Sequence, residues 1–183
     1  SNVQGDRTMG IWEKPKPAFL DKLKENFQFE PPREHGFDTV ESIKAMSEGK
    51  AKIFFAMGGN FLSATPDTEF TAKALQNCKM TIQVSTKLNR SHLITGKTAI
   101  ILPCLGRTEL DLQNGQKQLV SVENSMGIVH ASRGSLTPAS KHLLSEPSIV
   151  ANLATATLKN SNTNWNHFIE DYDRIREAIQ NTI

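Results

Sequence analysis

The run from Lys52 to Pro103, KIFFAMGGNFLSATPDTEFTAKALQNCKMTIQVSTKLNRSHLITGKTAIILP, constrains the fold of this chain more than any other stretch. Ala51 to Met57, Met80 to Ser85 and Thr98 to Leu102 are short apolar runs that alternate with amphipathic segments. Unbroken apolar runs of this length suit parallel strands covered on both faces. The first stops at Gly58-Gly59, where a missing Cβ lets the backbone approach a ligand, and Asn60 then offers an amide that both donates and accepts. Thr65 as N-cap with Pro66 in the first turn predicts a helix whose Phe70, Ala74 and Leu75 face inward and which delivers the chain to Met80. The glycine turn and the polar loop after Ser85 fall on one edge of the sheet. Ligands of open parallel sheets lie beyond the carboxyl ends of the strands, so this edge predicts a nucleotide cradle.

The predicted fold is therefore α/β: a Rossmann-like three-layer domain with a parallel sheet flanked by helices, and an irregular region after residue 103. One domain is expected over 1–183. Residues 1–37 form a lead-in and first helix, 38–103 the parallel β/α core, 104–144 irregular loops with a short strand, and 145–183 C-terminal helices. Ser1 to Lys16 has Gly5, Gly10 and Pro15 without an apolar period and reads as extended. From Pro17, Phe19, Leu20, Leu23 and Phe27 share a helix face, and Pro31-Pro32 ends that helix. Asp38 with Glu41 forms a capping box, and Gly49 suits the left-handed position after the next helix. Gln118 to Glu123 predicts a short strand. Glu146 to Leu158 and Trp165 to Ile179 carry helical periodicity across a polar linker.

Composition narrows the partners. Among 183 residues, 21 basic and 19 acidic side chains give a formal net charge of +2, with no field for nucleic acid or a membrane surface. Cys78 and Cys104 lack CxxC spacing, and no 18-residue apolar run or secretory signal is visible, so neither a disulfide scaffold nor a membrane segment is expected. A reducing, cytoplasmic setting is the default expectation. The five histidines show no HxH or HExxH spacing, and no GxSxG, Walker A or GxGxxG motif occurs. No catalytic or metal-ligating residue is assigned within this stretch.

Met57-Gly58-Gly59-Asn60-Phe61, followed by a helix, by Thr81-Ile82-Gln83-Val84-Ser85 and by Ala99-Ile100-Ile101-Leu102-Pro103, resembles the large subunit of molybdopterin oxidoreductases. The likeness is to the dimethyl sulfoxide reductase family, and within it to formate dehydrogenase-like members. It continues through Asn2 to Gly10, Asn124 to Gly134 and Glu146 to Ala154. Family members are several times longer, with an iron-sulfur or equivalent region, a metal ligand and a second cofactor-binding domain. The resemblance thus implies an excised interior domain, inert alone, whose partners are the remaining domains of a parent enzyme. That parent would hold a bis-molybdopterin guanine dinucleotide with molybdenum or tungsten. A 4Fe-4S cluster would lie outside this stretch.

By the same resemblance Gly58, Gly59 and Asn60 contact the dinucleotide, as do Gln83, Ser85 and Thr86 at the end of the second strand. Ser85 stands where the family commonly has an acid, and a hydroxyl offers a guanine edge fewer acceptors than a carboxylate. Asn89-Arg90-Ser91-His92, with Lys87 nearby, suits a diphosphate through charge-assisted hydrogen bonds or is solvated loop polarity. Glu146 occupies a family aspartate position at the start of a cofactor-contacting helix, and helix capping accounts for it equally well. Arg107, Glu109, Asn124 and His130 to Gly134 read as cofactor-lining or as loop-stabilising residues. A non-catalytic nucleotide- or phosphate-binding α/β module is the alternative that the glycine turn alone supports.

Overall fold

The computed structural model describes residues 2–12 and 14–183. In chain order the elements begin with helices α1 (Asn2–Thr8), α2 (Pro17–Phe27) and α3 (Thr39–Ser47), then strand β1 (Ile53–Met57). Helices α4 (Phe61–Ala64) and α5 (Thr68–Asn77) lead to β2 (Met80–Ser85), a 3-10 turn at Arg90–Leu93 and β3 (Thr98–Pro103). Short strands β4 (Leu112–Gln113), β5 (Gln116–Lys117), β6 (Val120–Glu123) and β7 (Val129–Ser132) follow. Helices α6 (Glu146–Thr157), α7 (Trp165–Glu170) and α8 (Asp173–Thr182) close the chain. The class is α/β, with a three-stranded parallel sheet flanked by helices. Two compact units are present, one of residues Phe37–Cys104 and one of residues up to Gly36 together with Leu105–Ile183.

In the Phe37–Cys104 unit the sheet order is β1-β2-β3, with Phe54 opposite Thr81 and Thr81 opposite Ala99. Ile43 and Met46 of α3, Leu62 of α4, and Ala74, Leu75 and Cys78 at the end of α5 form the core, with Phe54 and Phe61 packed against it. Removing these side chains from water is the main force holding helices to sheet. The capping box at Asp38 and Glu41 is formed, and Gly49 takes a φ of 72° after α3, so both local signals are realised. The helix before β2 starts later than expected. Asp67 caps it by accepting from the Phe70 N–H, while buried Thr65 donates its hydroxyl to Leu62 O and lies 2.9 Å from Thr71 Oγ1. Ala74 and Leu75 are buried as expected, but Phe70, in the first turn, is exposed. Strand β1 also departs from its pattern: Phe54 and Ala56 are half-buried, whereas Ile53, Phe55 and Met57 face outward.

The second unit contains the departures that local reading misses. The lead-in is helical over α1, because Gln4 donates to Glu123 Oε1 of β6 at 2.8 Å and anchors a segment whose own propensity is weak. Helix α2 ends at Phe27, before the Pro pair, through Gln28 in the left-handed conformation with its N–H on Lys24 O. Asn114 and Gly115, both with positive φ, close the β4–β5 hairpin, and β6 pairs antiparallel with β7. The periodic stretch after Trp165 is two helices. The Tyr172 N–H is taken by Gln118 Oε1 at 3.0 Å, which breaks the helix between α7 and α8.

Candidate functional site

The carboxyl ends of β1 and β2 form the edge where the cradle is expected. The Gly58 N–H extends the ladder to Val84 O at 2.8 Å, and Gly58 and Gly59 have φ values of 68° and 71°. Glycine adopts this conformation without the penalty an L side chain meets. A Cβ built on Gly59 would meet no atom within 4 Å, so open space lies beside this backbone. The Gly59 carbonyl accepts from Asn89 Nδ2 at 2.7 Å, which joins the glycine turn to the loop after β2. The structure thus brings Gly58, Gly59, Asn60, Gln83, Ser85, Thr86, Asn89 and Arg90 into a single unit around one sheet edge.

Ser91 organises this edge. Its Oγ accepts from the Leu62 N–H at 3.0 Å and donates to Asn60 Oδ1 at 2.8 Å. Its N–H donates to Asn89 Oδ1 and its carbonyl accepts from Gln83 Nε2, at 2.9 and 2.8 Å. Gln83 and Ser91 are buried, so Gln83 works from beneath the loop. Ser85 donates its hydroxyl to Lys87 O at 3.0 Å and keeps its oxygen lone pairs for a donor. Thr86, Lys87 and Arg90 are exposed beside the turn. The Asn89 N–H lies 3.0 Å from His92 Nδ1, and His92 Nε2 is buried without a partner among the described residues. Ser91 and His92 belong to the polar cluster expected at a diphosphate, but nothing local marks Ser91 as the residue that ties the loop to α4. Helix α4 after the turn has four residues, too short for a substantial dipole, so backbone N–H groups and side chains supply the polarity.

Glu146 belongs to the other unit, exposed at the first position of α6. The cap itself is Ser145, whose Oγ accepts from the Ser148 N–H, and Glu146 complements the positive end of the helix. Glu146 lines a cavity of about 190 Å³ together with Arg107, Glu109 and Gly134. Glu109 is a loop brace: its carboxylate accepts from the Gly106 and Ala139 N–H groups at 2.6 and 2.8 Å, which holds its pKa below the usual 4.5. Deeper in the same cavity the Tyr172 hydroxyl donates to Asp111 Oδ2 at 2.7 Å and lies 2.6 Å from Ser145 Oγ. Burial pushes the Tyr172 pKa well above its normal value, so the phenol stays protonated and pins loop to helices. Asp111, Ser145 and Tyr172 carry no sequence motif. Cys78 lies at the core, its thiol pKa raised by burial. Among the described residues no group of three or more His, Cys, Asp and Glu could hold a metal ion, and no helix is long and apolar enough to cross a membrane.

No family model matches the chain. Over 180 residues it is 58% identical to proteins of Mycobacterium bovis and Mycobacterium tuberculosis, each named an uncharacterized oxidoreductase. The alignment covers 98% of this chain and 23% of those proteins. Protein YdeP of Escherichia coli strain K12 is 48% identical over 180 residues, again 98% of this chain and 24% of YdeP. The chain thus spans about a quarter of the length of the curated relatives it matches.

Proposed function

We propose that this chain is an interior domain of a larger oxidoreductase and forms one wall of a bis-molybdopterin guanine dinucleotide site, in an enzyme of formate dehydrogenase-like type. The carrying observation is Gly59, a left-handed backbone facing open space and tied through its carbonyl to Asn89. The mycobacterial relatives' name, oxidoreductase, and their fourfold greater length support the same reading. The residues present fit a dinucleotide. The turn at Gly58-Gly59 admits a diphosphate close to main chain, Arg90 and Lys87 offer exposed cations to it, and Thr86 offers a hydroxyl. Ser85 keeps acceptor capacity toward a base edge; Asn60, Gln83 and Asn89 hold turn and loop in register from behind. When bound, the cofactor with molybdenum or tungsten supplies the electron and atom transfer, and the protein orients it and sets its electrostatics.

The test is metal analysis and guanine-nucleotide release on the full-length protein. Molybdenum or tungsten together with guanine nucleotide is the expected content. Arg90→Ala should lower the nucleotide content without altering the fold, because the side chain is exposed. Gly59→Asn is the sharper variant: asparagine tolerates a positive φ yet fills the open space, so cofactor should be lost while the protein stays folded. Nucleotide without metal would favour the phosphate-binding module. Protein lacking both overturns the assignment.

A further inference from the structure

One face of the parallel sheet is apolar and, apart from buried Val84, largely open. By strand register Ile53, Phe55 and Met57 of β1 share that face with Met80, Ile82 and Val84 of β2 and with Thr98, Ile100 and Leu102 of β3. Ile53 is 63% exposed, and Phe55, Met57, Ile100 and Leu102 are 36–38% exposed. On the opposite face Phe54, Thr81 and Gln83 lie against the core built by α3, α4 and α5, whereas Ala99, Ile101 and Pro103 of β3 are exposed there too, so β3 lacks cover on both faces. All-parallel sheets occur almost only with both faces covered, and a contiguous apolar patch marks an interaction surface. Strand β3 adds a second observation. It lies at the sheet edge, all six of its residues are exposed, and Thr98 to Leu102 carry none of the charges with which natural edge strands avoid pairing.

We infer that β3 is an interior strand of a larger sheet in the full-length protein. Its partner is a further β/α segment of the same polypeptide, outside these 183 residues, which pairs a parallel strand along β3 and lays its helix on the face of Ile53, Phe55, Ile100 and Leu102. Two features select this occupant. The relatives that match across 98% of this chain have about three-quarters of their length outside the match, so homologous proteins carry ample chain to supply it. A parallel strand reaches the sheet only through a crossover of a dozen or more residues, usually a helix, and over β1 and β2 the face toward α3 and α5 is already filled. The wider uncovered surface, which includes Ile53, Phe55 and Met57 of β1 as well as Ile100 and Leu102 of β3, is on the other side, and the crossover helix belongs there. This holds whether or not a dinucleotide occupies the crevice.

The experiment uses the full-length protein. Hydrogen exchange by mass spectrometry on the wild type compares peptides over 98–103 with those over 80–85. Expected is protection of β3 within about tenfold of β2, as for an interior strand. In parallel, Ile100→benzoylphenylalanine is photo-activated and its adducts are mapped. Adducts in the same polypeptide outside this stretch support the inference. Exchange of β3 more than about a hundredfold faster than β2 overturns it. So do adducts that fall in residues 105–183 or in a second copy, or no adduct at all.

Discussion

Removing the Ser91 hydroxyl should loosen the whole crevice. The Oγ accepts from the Leu62 N–H, a buried main-chain donor, and donates to Asn60 Oδ1, which is half-buried. In Ser91→Ala the Leu62 N–H loses its partner at a cost of about 1–3 kcal/mol, that of a buried donor left unsatisfied. The Asn60 oxygen can turn toward water and loses only a net hydrogen bond, about 0.5–1.5 kcal/mol. The sum, about 1.5–4.5 kcal/mol, lowers local protection roughly 10- to 1,600-fold at 1.4 kcal/mol per tenfold. Hydrogen exchange over residues 59–65 reads this directly, with Arg90→Ala as an exposed neighbour that should leave it unchanged. Protection of the Leu62 peptide within about threefold of wild type would refute the hub role of Ser91, since even a single orphaned donor costs more than that.

Gly134→Ala places a Cβ 1.9 Å from Glu109 O and 2.4 Å from Glu109 C, so main chain must move; a loss of about 1–3 kcal/mol or more is expected in thermal unfolding. Gly5→Ala, on α1 with no atom within 4 Å, should instead stabilise by about 0.5–1 kcal/mol in the same assay. Tyr172→Phe deprives Asp111 and Ser145 of their shared hydroxyl and should lower stability by about 1–3 kcal/mol, read by denaturant titration. Glu109 has its folded-state pKa depressed by two main-chain N–H donors, so its contribution is present above the unfolded value near 4.5 and is lost as pH falls through the lower folded value. Glu109→Gln should accordingly flatten the acid limb of the stability–pH curve below about pH 4.5, and an unchanged limb would contradict that linkage.

What the sequence determined by itself is the local grammar of the Phe37–Cys104 unit. Asp38 with Glu41, Gly49, and apolar runs ending at Met57, Ser85 and Leu102 each act within a few residues, and they specify helix start, helix stop and strand without reference to distant chain. The glycine turn and the loop after β2 were legible as neighbours, because parallel strands place their carboxyl ends on one edge. How that edge is held was not: the Ser91 bonds to Leu62 and Asn60 span about 30 positions, and a serine in a polar loop looks the same with or without them. Apolar residues on both faces of β1 announced that both need cover, yet the pattern does not say which chain supplies it.

Tertiary structure alone decided the rest. Helix α1 forms where Gln4 meets Glu123, and the helix after Trp165 breaks where the Tyr172 N–H meets Gln118. Gly134 and Gly96 are needed because the main chain of Glu109 and Cys78 passes where a Cβ would stand. Propensities and caps are short-ranged and are written into neighbouring residues, whereas a hydrogen bond or close approach between residues 50 or 100 positions apart depends on how the whole chain is packed.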